Sequence, residues 1–528
     1  MYLLLAMPGL QAFGQSTSDH VDVMWGDMAR ESRKSMVTGI VGYDETGVYV
    51  IKRKGLGIKG RRFALYLAHY DNKMNPTRSL LIEKVHLASQ MTFEFVIQLK
   101  DKLYLFTSEK IQSKKKNILY VQSIDKARMI INGDRKVVAE IDYTGSGRRN
   151  TGGFSYRISR GKTKALLYYS MPYEKREKES FGFHVFDENM NRMWEKEVEL
   201  PYTDNLFSVE EHNIDDKGNV YILGVAFNEK RRHKRDGKPN YKYHILSYQN
   251  KGADFKEHIV DLPGRFLVDM EVAITDDEDL ICAGYYSEEG SFSIIGTYYL
   301  RVDGKTKKVE KTSYKEFGLD FITQDMTARQ EKKTRKRAEK GKVVELYEYD
   351  LDDIVINEDG SAVLIGEQYY TDVVTYTTQG ANGAMMTNTM YYYYRNDIII
   401  VSFSPEGEIK WLDKIPKTQV TVNDGGLYSS YAKTIVGDKI YFLFNDHPQN
   451  LAYSGDGKLY NFNKSKGSIA VIVGIDSEGQ QTRRDMLFAV RDVDAMTIPT
   501  VSTQVSDNEM VIFSKWGKRQ RLVRATFK

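Results

Sequence analysis

The chain has 528 residues, 41% hydrophobic and 28% charged, with a formal net charge of +4. That length allows several ordinary domains or one large repeat fold with ample packed core. It has no apolar run long enough for a membrane-spanning helix, and a charge so near balance excludes a uniformly basic surface, so any basic character that matters must be local. Tyr is abundant at 36 against 10 Pro, a composition that favours sheet because aromatic side chains fit a pleated surface.

The chain opens MYLLLAMPGLQAFGQS. Tyr2 to Met7 is apolar and small residues follow, with a cleavage point after Gly14 or Gln15. Residues 1–15 therefore read as a signal peptide, although no Lys or Arg precedes Arg30 to form a basic n-region, and a start further upstream would supply one. Residues 16–528 read as a single domain. The segment HVDVMWGD at 20–27 is a strand that precedes the first full repeat.

From there one pattern recurs: an apolar strand, a tight Asp/Asn/Gly turn, then a strongly apolar strand. It is seen in GIVGYDETGVYVIKR, FVIQLKDKLYLFTS, HNIDDKGNVYILGVAF, IVINEDGSAVLIGEQYY and TQVSDNEMVIFSKW among eight copies, with turns spaced 54 to 83 residues apart. Asp, Asn and Gly supply the positive φ and local hydrogen bonds that hairpins need. A second hairpin follows most copies, as in FDENMNRMWEKEVEL and FSPEGEIKWLDKI. The unit is thus four antiparallel strands in roughly 60 residues, which predicts an all-β fold, a β-propeller of eight blades (seven being the alternative). The last unit, TIPTVSTQV, EMVIFSKW and RLVRATFK, lacks its outermost strand. The N-terminal strand is expected to fill it and so remove an open edge.

Two second hairpins place Trp194 and Trp411 after an acidic turn. This layout resembles the PQQ-like repeat of eight-bladed propellers, where that tryptophan docks between blades. The resemblance covers the repeat plan of most of the chain, with the tryptophan in two units of eight. It implies either a quinoprotein-type enzyme or a non-catalytic scaffold such as the outer-membrane assembly lipoprotein. No quinone or calcium constellation is present to carry over, and no cofactor is expected.

GLGIKG at 55–60 spells the dinucleotide fingerprint, which requires a helix after the glycines. RRFALYLAHY follows and reads as a strand, so the glycines form a link between strands two and three of blade one. Such links share one face with the blade-to-blade connections. In blades one, two and four they carry net charges of +6, +3 and +4, whereas EKREKE at 174–179 of blade three is neutral. The candidate anion-binding residues are Lys54, Lys59, Arg61 and Arg62 of blade one, Arg148 and Arg149 of the glycine-rich link TGSGRRNTGG, and Arg231 and Arg232 of blade four. A solvated charged surface accounts for the same loops.

Blade five is followed by TARQEKKTRKRAEKGK, with eight Lys/Arg, two Glu and no apolar stripe, a solvated helix in a basic insertion at 325–345. The blade-six link, 369–397, reads as a long hairpin with a QGANG tip. Its Tyr376, Tyr391, Tyr392 and Tyr393, with Met385, Met386 and Met390, form a candidate contact surface, although half of these residues packing on neighbouring blades explains the same pattern. The blade-seven link at 450–467 is expected beside it with Tyr453, Tyr460 and Phe462.

Catalytic motifs with fixed spacing are absent: no nucleophile elbow, P-loop, HExxH or paired-cysteine site occurs. The nine histidines are scattered, no metal site is expected, and the acidic turns DDKG and DDED are explained by turn chemistry. Cys282, the single cysteine, sits in the apolar stretch DLICAGYY and reads as buried and inert. These features predict an exported, monomeric binding propeller of the periplasm or outer membrane with no separate C-terminal anchoring domain. It would contact an envelope protein or an anionic glycan and not nucleic acid. The alternative is a propeller hydrolase or lyase with its site at the channel mouth.

Overall fold

The computed structural model describes residues 18–528 apart from 57–61, 86–90, 145–149, 173–176, 289, 291–292, 305, 307, 325, 358, 380–383 and 456–458. The expected signal segment lies outside the described residues. The polypeptide is a β-propeller. Among the described residues, eight antiparallel sheets of four or more strands follow one another along the chain, numbered here as blades one to eight.

Each blade forms because strands of alternating burial are joined by turns whose side chains bind their own backbone. In blade four, Phe207–Ile214, Val220–Phe227, Tyr241–Gln249 and Asp254–Val260 pair in order. The first turn is held by Asp215, whose Oδ1 accepts from the backbone N–H of Lys217 (3.0 Å) and Asn219 (2.8 Å). Blade three repeats the device with Asp187, Asn189 and Asn191. The second strand of blade four is enclosed by neighbours on both faces and is wholly apolar: every residue of Val220–Phe227 is buried.

Neighbouring innermost strands are tied around the ring. Gln98 Nε2 donates to Tyr43 O (2.8 Å), Arg157 Nε to His212 O (3.1 Å), Asn213 Nδ2 to Val272 O (3.0 Å), and Leu351 N to Asp269 Oδ2 (3.1 Å). Tyr431 Oη donates to Asp352 Oδ2 (2.7 Å) and Gln504 Nε2 to Ile435 O (2.7 Å). The ring closes where Val37, Val48 and Val50 of blade one share a core with Val505, Val511 and Phe513 of blade eight. The clasp is Val21–Trp25, which pairs antiparallel with Arg519–Phe527 from Val21 against Phe527 to Trp25 against Val523. It occupies the edge that the last unit leaves open.

Both tryptophans dock between blades. Trp194 is 9% exposed, its Nε1 donates to Gly218 O of blade four (3.0 Å), and its ring lies against Gly252. Trp411 repeats this in blade six: Nε1 donates to Ser477 O (2.8 Å) and the ring covers Gly479. Gly252 and Gly479 have φ of +77° and +79°, and a Cβ on either would sit 2.8 Å from the indole, so turn geometry and ring packing both demand glycine.

Candidate functional site

The face that carries the blade-to-blade links and the second-to-third-strand links is irregular and holds those predicted residues that are described. Lys59, Arg61, Arg148 and Arg149 lie outside the described residues, and of Arg62 only the backbone is described, in the strand Arg62–Asp71. The flanks of GLGIKG are two antiparallel strands, Gly47–Leu56 and Arg62–Asp71, registered from Gly47 against Asp71 to Leu56 against Arg62. Among the described residues, no helix begins there. Lys54 is exposed, but it shares a face of its strand with Lys52, whereas Arg53 and Gly55 point to the opposite face and line a cavity. Arg231 and Arg232 are exposed on blade four, three blades around the ring, where Lys234–Arg235 and Lys238–Pro239 make a small hairpin of their own. Of the predicted cations whose side chains are described, Lys54 on blade one and the pair Arg231 and Arg232 on blade four therefore stand on separate blades. The links differ in length: that of blade two is a four-residue turn between Ile111 and Lys116.

The long link of blade six is the largest feature of this face. Strands Ala362–Gln379 and Met385–Phe403 pair continuously past the blade, from Tyr369 against Arg395 to Gln379 against Met385. Every residue from 371 to 379 is exposed, including Val373 (57%), Val374 and Tyr376, and Met385 (68%), Met386 and Tyr391 face solvent across the pair. Tyr392 and Tyr393 are half-buried, because a short strand, Gln419–Val422, pairs alongside them. Tyr394 stacks on Tyr370 at 4.3 Å. The blade-seven link adjoins that short strand, since Phe462 N donates to Thr418 O and Asn461 Oδ1 accepts from Val420 N. Phe462 itself is fully buried in the core shared by blades one and eight rather than offered at the surface.

A buried charge cluster fixes the base of this hairpin. Glu367 accepts from Lys417 Nζ, from Arg395 (2.8 Å) and from Ser430 Oγ (2.9 Å), and Glu367 and Lys417 are both fully buried. Burial presses the Lys417 ammonium pKa down against the pull of Glu367. Arg395 also lies 3.5 Å over the Tyr369 ring. Nothing in the local sequence marks this cluster, which joins three separate segments.

Where blades seven, eight and one meet, a cavity of about 720 Å³ opens on the same face. Its cations are Arg33 and Lys34 from the segment between clasp and blade one, Arg53, Lys464 of the blade-seven link, and Lys515. Phe63, Tyr428 and Trp516 supply aromatic walls, and no acidic residue lines it among the described residues. Lys515 is 6% exposed, and its ammonium donates to the carbonyl oxygens of Arg33 (2.9 Å) and Ser35. Burial, reinforced by the Arg53 charge and opposed by Glu31, lowers its pKa to about 8. Arg53 reaches Met36 Sδ at 3.6 Å and lies 6.0 Å over Phe63. Lys464 lies 4.7 Å over Tyr428, with Asp424 at 3.6 Å.

At the channel mouth a second cavity, of about 500 Å³, is lined by Asp352, Arg395, Ser430, Tyr431 and Lys433. Burial raises the Asp352 carboxyl to about 6. Around the axis, burial first and then Glu211, Asp269 and Asp353 raise Glu271 to about 8, with Arg157 opposing. Four of the histidines make local contacts: His69 meets Thr77 Oγ1 at 2.6 Å, His184 and His244 meet Glu195 and Glu257 at 3.0 and 2.7 Å, and His212 stacks on Tyr168 at 3.7 Å. Cys282 is fully buried and its thiol is raised to about 12. Among the described residues, no group of three or more His, Cys, Asp or Glu is placed to hold a metal ion.

No protein-family model and no curated protein matches this chain. Solved structures with a similar fold include the WD40 domain of SCAP from fission yeast, at 9% identity over 97% of each chain with a TM-score of 0.39. The propeller domain of the Trilobed protease from Pyrococcus furiosus matches at 11% identity over 73% of this chain and 95% of that one, with a TM-score of 0.33. An oligogalacturonate lyase in complex with manganese matches at 10% over 83% and 97%, with a TM-score of 0.30. At such identities the likeness is one of fold alone. The class defined by the sheet order is the β-propeller.

Proposed function

We propose that this protein is a non-catalytic binding propeller of the cell envelope that contacts a partner protein through the blade-six hairpin and receives anionic groups on the same face. The observation that carries the reading is the hairpin itself. Val373, Val374, Tyr376, Met385, Met386 and Tyr391 place large apolar side chains in solvent on one element, where isolated exposed apolar residues would need no explanation but a cluster does. Among the described residues, no strand covers the outer edge of 371–379, so a partner strand can add there by main-chain hydrogen bonds. The docked Trp194 and Trp411 support a PQQ-like ancestry. Residence in the periplasm or at the outer membrane is proposed from the apolar start at Tyr2–Met7 and the single cysteine.

The test compares cross-linked capture from envelope extract by the natural protein and by a variant lacking residues 374–391, after circular dichroism has established that both fold. A protein taken only by the natural form supports the reading, and identical captures refute the role of the hairpin.

One observation favours a second reading, a hydrolase or lyase working at the channel mouth. Asp352, raised to about 6 and accepting from Tyr431, stands beside Arg395 and Lys433 in a cavity of about 500 Å³. Turnover of a carbohydrate or small ester that is lost in Asp352→Asn would establish it.

A further inference from the structure

The cavity at the seam of blades seven, eight and one has a composition that neither the ring nor its closure needs. Closure is achieved by the clasp and by the apolar core beneath. Above that core stand five cationic side chains from four separate segments, arranged around one space of about 720 Å³ with three aromatic rings in its walls. Like charges brought together repel, and the cost is visible at Lys515: it is nearly buried, it faces Arg53, and it holds two backbone carbonyls by two of its three ammonium hydrogens. Among the described residues, Arg33 and Arg53 have no carboxylate within ion-pair range, while Lys52, on the other face of the same strand, is paired with Glu31. On this strand Lys52, outside the cavity, is therefore matched and Arg53, inside it, is not, while Lys464 across the space has Asp424 at 3.6 Å.

We propose that this cavity binds an acidic saccharide, with sugar faces against the aromatic walls and carboxylate, sulfate or phosphate substituents on Arg33, Arg53, Lys464 and Lys515. The proposal rests on the link face being the binding face, and it is independent of the hairpin. Three features select this class. The volume is in the range that encloses a drug-sized ligand, large for a lone inorganic anion. The cations come from different sides of the space, which suits several anionic groups set along a chain rather than one clustered charge. The rings of Phe63, Tyr428 and Trp516 offer flat apolar faces, which the C–H face of a sugar ring can cover and an aspartate- or glutamate-rich peptide cannot.

Bound anion favours the charged form of Lys515, so binding takes up protons near pH 8 and weakens as pH rises from 7 to 9. The groups that face this ammonium are Arg53, Glu31 and the Arg33–Lys34 segment.

The test is titration calorimetry of the whole protein at low salt. The probes are a sulfated uronate-containing disaccharide, the same disaccharide without sulfate or carboxylate, inorganic sulfate, and hexaglutamate. Tryptophan fluorescence reports on Trp516. The expected result is binding of the acidic disaccharide that is at least about tenfold weaker in Arg53→Gln/Lys464→Gln, the scale of one or two charged hydrogen bonds. It should be unchanged in Lys114→Gln/Lys115→Gln, exposed on the blade-two turn of the same face but outside the cavity. Equal loss in both variants would reduce the site to diffuse surface charge and overturn the proposal. So would sulfate binding as tightly as the disaccharide, tighter binding of hexaglutamate, or no binding of any probe. A variant lacking residues 374–391 should keep full saccharide affinity, so failure here and failure of the hairpin reading are told apart.

Discussion

At the scale of single residues, the chain shows how much a side chain's role depends on what closes around it. Trp194 is one of four tryptophans, and its value lies in the backbone it caps. Removing its ring would leave the Gly218 carbonyl unpaired and a void against Gly252, so Trp194→Ala is expected to cost about 3–5 kcal/mol, read as a lower denaturant midpoint with an unchanged slope. Glu271 makes a different prediction. Its carboxyl titrates near 8 in the fold against 4.5 for an ordinary glutamate, because burial and then the charges of Glu211, Asp269 and Asp353 disfavour ionisation. The folded state thus holds a proton that the unfolded chain has released. The side chain costs nothing below pH 4.5, and stability falls as pH rises through the interval up to 8. Glu271→Gln is expected to raise the melting temperature at pH 9 by the equivalent of roughly 1–3 kcal/mol and to leave it unchanged at pH 4. A gain of equal size at both pH values would assign the effect to packing instead.

At the scale of elements, the blade-six hairpin is a strand pair with little burial of its own, held out by a buried base. Glu367 compensates both Lys417 and Arg395 there. Glu367→Ala would leave a buried ammonium without its counter-ion, a change that costs about 3–5 kcal/mol in comparable settings. Hydrogen exchange should show the loss first in residues 369–395 and 417–422 and least in blades two and three. Val374→Lys lies on the projecting part, where the side chain has few contacts. It should change global stability by less than about 0.5 kcal/mol while abolishing partner capture. The insertion after blade five contrasts with the hairpin. Its helix, Ala328–Glu339, has no buried residue, yet it starts with a Thr327/Gln330 capping box and is pinned by Arg335 to Glu331 and Asp320.

At the scale of the whole molecule, the ring depends on one short strand from the far end of the chain. Val21 is fully buried in the core of blade eight, and Val21–Trp25 covers the edge of Arg519–Phe527. Deleting residues 18–25 should expose that edge, lower the melting temperature and produce self-association by size-exclusion chromatography, because an uncovered apolar edge pairs with another chain. A monomeric deletion variant with unchanged stability would show that the clasp is dispensable.

The propeller was legible in the sequence because its determinants are local. Period-two alternation sets which face of a strand is buried, and Asp, Asn and Gly set each turn within four residues, so repetition of the pair reveals the repeat. The docking of Trp194 and Trp411 was legible for the same reason, through the acidic turn that precedes each. The candidate site was not. Lys54 reads like Arg53 in a basic run, and only strand alternation together with the neighbouring blade decides that Arg53 enters the cavity while Lys54 leaves it. Arg33, Lys464 and Lys515 lie hundreds of residues apart in places, and no spacing joins them. The sequence by itself determined the local units and their order, since hairpins are encoded by near neighbours. Which charges meet was decided by tertiary structure alone, because closing the ring brings the two ends of the chain to one seam.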